Sequence, residues 1–316
     1  MKKLVCILLC FLCISMQGMK PDEMRQHFLQ EACSNMPEEV RQCTSLEDME
    51  AMLRQEEEDS IENIKETYSI PDDVWEEYMD LCTTTRDYIK NEYLTTPRPD
   101  RKHSLADVDP SWYEHICESF RKSGIHPDAV DILHVPARSR VKEKSPLGRA
   151  GSPCIDVDAS IESIVIKKEA ETFFCSLQDF YSSNVPIKMA YGDFTYFVPY
   201  HEAIHLTEAH FTISTLMHEC ICKSNSNCSL IWFPLARFHE KMAALLPLIQ
   251  QKDPALIDGQ IKKALQYCMD HARWRRPMTW NKTHNIKERH PDNCTELLPY
   301  LLKIKDLIQK EKMEKS

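Results

Sequence analysis

The pattern of apolar and polar residues over 21–94 predicts helices throughout that segment. We expect them at about 21–32, after Ser45, and at about 71–94. The sequence SLED at 45–48 supports the second start, because Ser45 is a good N-cap with an acid three residues later. The acidic run RQEEED (54–59) is interpreted as a solvated helical face, with an adaptor surface for a partner protein as the alternative.

The pattern changes after residue 94. Three prolines within 95–110 predict a linker, and a helix is expected to begin at Asp109-Pro110 and to end at Gly124. Beyond it we expect short strands at 129–135 and 160–168, a helix at 169–183 and an aromatic hairpin at 187–198. Helices are then expected at about 199–222, 229–250 (with a kink at Pro234), 254–272 and 295–313.

These elements predict a mainly α (α+β) chain with a small β-sheet. The N-terminus MKKLVCILLCFLCISMQG has two lysines, a short apolar run and small or polar residues, which is typical of a cleaved signal peptide. The predicted organisation is a signal peptide at 1–18, an acidic helical module at 19–94, a linker at 95–109 and a C-terminal domain at 110–313. The protein is therefore expected outside the cytoplasm, periplasmic or secreted; association with a membrane periphery stays open.

Composition narrows the choice of partner and cofactor. The net charge of −10 argues against a nucleic-acid partner, which requires a basic surface. Three of the 14 cysteines lie in the signal peptide, so eleven remain in the mature chain with undetermined pairing. For the cluster CICKSNSNC (220–228), a disulfide or buried thiols are favoured over thiolate zinc, because paired CxxC motifs are missing.

The motif HEAIH (201–205) carries the chemistry. On a helix His201 and His205 lie one turn apart on the same face, so both imidazoles can bind one zinc ion. Glu202, about 100° around the helix, can act as general base on a zinc-activated water. The alternative is a helix with two packed or surface histidines.

A catalytic zinc needs a third protein ligand and an open position. The acids and histidines that follow on the same helix are poor candidates, because three ligands from one helix do not easily converge on one ion. The best candidate is Glu240 on the next helix, since the loop between them allows that helix to return antiparallel. We interpret His210 as a structural or surface histidine and His239 as a packing or surface residue.

The order of these residues resembles a known family. HEAIH followed by His210, then Glu240-x-x-Ala243, then His290-Pro291, is similar to the HtpX and CAAX-prenyl-protease family of zinc metallopeptidases, which includes Oma-type and BepA-type enzymes. The resemblance implies a zincin-type domain, His201, His205 and Glu240 as zinc ligands, Glu202 as general base, and His290 as a stabiliser of the oxyanion. Three features depart from the family: Ala244 and Glu296 stand where the family has Asp and often Arg, and Pro199 predicts a helix that begins only two residues before His201.

The expected function is zinc-dependent hydrolysis of peptide bonds in proteins, with one Zn²⁺ as cofactor and a protein or peptide as substrate. One alternative is a catalytically weak or inactive zincin-like binding protein, which the departure at Ala244 favours, because loss of a group that holds a ligand costs about 10- to 100-fold in metal affinity or activity. The other is a secreted helical interaction protein without metal. The sequence does not determine oligomeric state or cleavage preference.

Overall fold

The computed structural model describes residues 20–108, 110–134, 149–150, 154–157, 164–167, 172–175, 197–224, 232–273 and 293–315. The described residues are mostly helical, which confirms the mainly α prediction. The predicted signal peptide, the aromatic hairpin apart from its last two residues, and the segment around His290 lie outside this part of the chain.

The N-terminal helices follow the sequence pattern closely. They are α1 (Pro21–Ser34), α2 (Glu38–Gln42), α3 (Leu46–Tyr68) and α4 (Asp72–Tyr88), and α4 continues as a π-helical turn at Ile89–Tyr93. The predicted cap at the start of α3 is present, because Ser45 Oγ accepts a hydrogen bond from the backbone N–H of Asp48 at 3.0 Å, while the Asp48 carboxylate accepts the N–H of Ser45.

The middle of the chain contains short helices and strands. The helices are α5 (Ser104–Val108) and α6 (Pro110–Lys122), followed by a 3₁₀ turn at Pro127–Ala129. Gly124 has φ +80°, as expected for the residue that ends α6. The strands are β1 (Asp131–His134), β2 (Arg149–Ala150), β3 (Cys154–Val157), β4 (Ile164–Lys167) and β5 (Thr172–Cys175).

Strand β5 lies in the centre of a three-stranded sheet of order β1-β5-β2. It runs parallel to β1, with Ile132 opposite Phe173, and antiparallel to β2. Strands β3 and β4 form a separate antiparallel pair. The prediction of a helix at 169–183 was therefore wrong over Thr172–Cys175; Thr and Phe favour strands, and the pairing with β1 was not visible in the local pattern.

The C-terminal helices are α7 (Val198–Thr207), α8 (His210–Ser224), α9 (Trp232–Gln251), α10 (Pro254–Arg273) and α11 (Asn293–Glu314). A single helix over 199–222 was predicted, and this was wrong. Ala209 has φ +50°, the left-handed region, which a continuous right-handed helix excludes. The chain therefore turns between α7 and α8.

The chain divides into two compact units. One comprises residues 1–49 and 252–316, in which α10 packs along α11 and both contact α1. The other comprises residues 50–251, in which α7 packs against α9 and α6, and α8 against α4 and α9. The domain limits predicted from the sequence, and the zincin-type domain itself, stay predictions.

The core of the second unit surrounds α7 and α8. Its fully buried members include Ile89, Ile116, Phe120, Ala203 and Ile213. Burial of such side chains contributes roughly 1.5–3 kcal/mol each, so the helices that carry HEAIH are firmly held. Among the described helices, none combines the length and apolar character needed to cross a membrane.

Candidate metal centre

Helix α7 presents the two histidines of HEAIH on one face. The helix begins at Val198 with Pro199 in its first turn, where the missing proline N–H costs nothing. His201 and His205 lie one turn apart, their ring centroids are 4.9 Å apart, and their planes cross at 75°. The Nε2 atoms of the two rings are 3.3 Å apart, so both nitrogens face the same point.

Glu240 on α9 completes the group. Its Oε2 lies 3.4 Å from His201 Nε2, and its Oε1 lies 3.7 Å from His205 Nε2. Ligands about 2.05 Å from a tetrahedral ion are about 3.4 Å from one another. The three distances are close to that value, with the two distances to Glu240 measured to different oxygens, and one donor atom from each residue lies within 4.8 Å of the others. His201, His205 and Glu240 therefore form a group that can hold a metal ion.

The three side chains of this group differ in how much of each is exposed to solvent. The side chain of His205 is 5% exposed, that of His201 22% and that of Glu240 39%. Burial, together with the neighbouring His201, lowers the pKa of His205 to about 3, despite the opposing charge of Glu240. His205 is therefore neutral at pH 7, which is the state that binds a metal.

Glu202, the predicted general base, is buried on the same helix, only 8% exposed. It follows His201 directly and so lies about 100° around α7 from it. His290, the predicted oxyanion stabiliser, lies outside the described residues. The predicted ligands are thus brought together, and the predicted base is on the helix that carries two of them.

A second group of the same kind lies beside the first. Glu57 of α3, His210 of α8 and His239 of α9 are all buried, and their donor atoms lie within 4.8 Å of one another, so this group too has donors that can hold a metal ion. The rings of His210 and His239 are stacked, 4.0 Å apart and 4° from parallel. His239 Nε2 lies 3.4 Å from Glu57 Oε1.

Charged side chains from α3 and α4 surround the second group. Arg86 donates from Nη2 to Glu57 Oε1 at 2.7 Å and from Nε to the backbone carbonyl of Glu208 at 3.3 Å. Arg54 donates to both carboxylate oxygens of Glu208, at 2.6 and 2.9 Å. Burial by itself raises the pKa of both glutamates. Contacts with His239 and Arg86 outweigh burial for Glu57, and contacts with Arg54 outweigh it for Glu208. Both pKa values therefore lie below the usual range.

The interpretation of 54–59 as a solvated face was wrong for two residues. Gln55, Glu58 and Asp59 are exposed, but Glu57 is buried and Arg54 reaches Glu208. A signal existed in the sequence: Leu53, Glu57 and Ile61 follow at intervals of four, which places the glutamate within an apolar stripe of α3.

The two histidines judged to be packing or surface residues are both buried. His210 joins the two groups, because its Nδ1 lies 3.0 Å from Nδ1 of His205. Ala244 is half-buried on α9, and its methyl group has no atom that can hydrogen-bond a histidine. Of the CICKSNSNC cluster, Cys220 is a buried free thiol and Cys222 is disulfide-bonded.

Comparisons of the chain with models of protein families, with curated proteins and with solved structures found no match.

Proposed function

We propose that the protein is a zinc-dependent endopeptidase that hydrolyses peptide bonds of proteins outside the cytoplasm. The observation that carries the proposal is the set of distances, 3.3, 3.4 and 3.7 Å, between two Nε2 atoms and the carboxylate oxygens of Glu240. Two separate helices supply these donors. The three distances are close to the roughly 3.4 Å that separates two ligand atoms of a tetrahedral zinc ion.

The kind of donor supports zinc and a catalytic role. Two imidazoles and one carboxylate are a ligand set of catalytic zinc sites, which leave a fourth position for water or substrate. The exposed fractions of His201 and Glu240, 22% and 39%, leave that side of the group accessible. A purely structural zinc site is instead closed by four protein ligands.

A bound zinc ion would polarise the scissile carbonyl and lower the pKa of water to about 7. Glu202 is proposed to take a proton from the attacking water and deliver it to the leaving amine. A glutamate beside His201 on α7 is well placed for this task, because it is near the metal without sharing the ligand face. His290 is proposed, from the resemblance alone, to stabilise the oxyanion.

The test measures zinc content and hydrolysis of a labelled, unfolded protein for the wild type and for Glu202→Gln. The amide cannot act as a base, so we expect cleavage to fall by about 10²- to 10⁴-fold with zinc retained. Glu219→Gln, a matched change of a partly exposed glutamate on α8, is expected to keep both properties.

Three results separate the proposal from its alternatives. Zinc that is lost in His201→Ala and Glu240→Ala supports the ligand assignment. A wild type that binds no zinc leaves a helical interaction protein. A wild type that binds zinc, yet cleaves no better than Glu202→Gln, leaves an inactive zincin-like binding protein.

A further inference from the structure

The contact between His205 and His210 restricts where their protons lie. A neutral imidazole carries one proton, on Nδ1 or on Nε2. His205 turns Nε2 to His201 and Glu240, so metal binding requires a free lone pair there and a proton on Nδ1. His210 Nδ1 lies 3.0 Å from that Nδ1, within hydrogen-bond distance. His210 must then accept at Nδ1 and carry its own proton on Nε2.

We propose that His210, backed by Glu57 and His239, is a positioning residue that holds His205 in the tautomer and orientation needed to bind the metal. The inference rests on the proposed zinc site. Partners of this kind fix the ring of a metal-binding histidine and increase its basicity, and their loss commonly costs about 10- to 100-fold in affinity.

Glu57 supplies the negative charge of this buried group. A carboxylate oxygen of Glu57 and one ring nitrogen of His210 lie within 4.8 Å of each other, and Glu57 Oε1 lies 3.4 Å from Nε2 of His239. The Nε2 atom of His210 is buried and has no hydrogen-bond partner among the described residues. A buried negative charge beside two imidazoles favours N–H groups on the ring edges that face it.

The geometry of this second group argues for support rather than for a second metal. The rings of His210 and His239 are parallel within 4° and their centroids are 4.0 Å apart, so the lone pairs of the two rings lie in nearly parallel planes. A ligand lone pair lies in the plane of its ring and points at the ion, so two rings stacked in this way do not direct their lone pairs to one point. Arg86 also places a cation 2.7 Å from the same Glu57 oxygen.

A break in the helix makes the contact possible. On a continuous helix, residue 210 would lie about 140° around and about 7.5 Å along from residue 205. The positive φ of Ala209 turns the chain, so that α8 begins at His210 and its ring reaches His205. Arg54 and Arg86 hold Glu208 at this turn, by its carboxylate and its carbonyl respectively.

The test compares His210→Asn with His210→Leu in the full chain. Asparagine keeps a hydrogen-bonding atom near the position of Nδ1, and leucine has the same branched shape without one. We measure zinc affinity by competition with a chromophoric chelator, the visible spectrum of the Co²⁺-loaded protein, and folding in EDTA. His210→Phe keeps the ring shape without nitrogen and replaces the leucine variant if that one does not fold.

We expect the wild type to bind one zinc ion per chain. In the apolar variants, zinc affinity should be about 10- to 100-fold weaker and the Co²⁺ spectrum altered, whereas His210→Asn should bind zinc within about 3-fold of wild type. His218→Leu, a partly exposed histidine on α8, is the control and is expected to bind as wild type. Equal binding by asparagine, leucine and wild type overturns the inference. Two ions per chain, with the second lost in Glu57→Ala, overturn it in favour of a second metal site.

These results also separate this inference from the proposed function. If the wild type binds no zinc, or if His201→Ala binds as well as wild type, the zinc site itself fails. If zinc binding depends on His201 and not on His210, only the positioning role fails.

Discussion

Two groups, each of two histidines and one glutamate, lie in contact in this protein and differ in three physical respects. In the group of His201, His205 and Glu240, the two rings cross at 75° and the carboxylate is 39% exposed. In the group of Glu57, His210 and His239, the rings are parallel within 4° and every member is buried. Both rings of the first group belong to one helix, α7, whereas those of the second come from α8 and α9, and Arg86 donates to Glu57 at 2.7 Å.

The comparison teaches that donor identity alone does not define a metal site. Lone pairs must converge on one point, and the surroundings must tolerate an additional cation. The first group meets the condition of convergence. The second has the same side chains, but its stacked rings and its arginine are suited to orient and neutralise buried polar groups.

The largest expected effect is the response of the metal-free protein to acid. Burial lowers the pKa of His205, His210 and His239 below that of an exposed histidine. Below about pH 6.5 these histidines are protonated in the unfolded chain but stay neutral in the folded chain, so the free energy of unfolding falls as the pH falls. The expected slope is about 1.4 kcal/mol per pH unit for each such histidine, or about 4 kcal/mol for three.

Urea unfolding in EDTA between pH 7 and pH 4.5 checks this slope. His239→Gln is expected to make this slope shallower, and His218→Gln, which lies outside both groups, is the matched control. Below about pH 4.5, protonation of Glu57 and Glu208 is expected to remove further stability, since their pKa values are lowered in the fold. A flat response between pH 6.5 and 4.5 would contradict neutral burial of the histidines.

The next effect comes from removing each glutamate. Glu57→Ala removes the carboxylate that faces the buried His239 and the partly exposed Arg86, which keeps its contact with Glu208, so we expect a loss of about 1–3 kcal/mol in the free energy of unfolding of the metal-free protein. Glu240→Ala removes a partly exposed carboxylate and should change that stability by less than about 1 kcal/mol, while it abolishes tight zinc binding.

Glu58→Ala is the matched control for Glu57, because it is the next residue of α3 and is exposed. Urea unfolding in EDTA and a zinc titration give the two readouts. The contrast between the groups breaks down if Glu240→Ala destabilises the metal-free fold as much as Glu57→Ala does.

The smallest effect concerns the turn that joins the groups. Ala209 is buried at φ +50°, where an L-residue costs about 1–2 kcal/mol and glycine does not. The lost methyl burial and the greater freedom of an unfolded glycine offset this gain, so Ala209→Gly should change stability by less than about 1 kcal/mol. Ala203→Gly, equally buried within α7, should cost about 2 kcal/mol in the same thermal or urea measurement.

Much of the helical framework could be predicted from the sequence. The N-cap at Ser45, the glycine stop at Gly124 and the start of α10 at Pro254 are local signals, and the structure has a helix boundary at each. The helix of residues 169–183 could not be excluded locally, because β5 exists through its pairing with β1. Strand formation depends on a partner that is distant in sequence.

The candidate site divides in the same way. That His201 and His205 share one face follows from the 3.6-residue period. Glu240 could be chosen because the loop before its helix allows that helix to return to the motif, and α9 does pack against α7. The role of Glu57 could not be predicted in this way. The local sequence around an exposed glutamate in an acidic run is the same as that around a buried glutamate that faces Arg86.

The sequence by itself determined the helices and the spacing of HEAIH, because both arise from contacts within a few residues. Only the tertiary structure decided which way Glu57 and Arg54 point, that the chain turns at Ala209, and that His210 meets His205. Arg54 and Glu208 are 154 residues apart in the chain, and Glu57 and Arg86 are 29 apart. These features therefore depend on packing between different helices, where burial and charge pairing outweigh local preference.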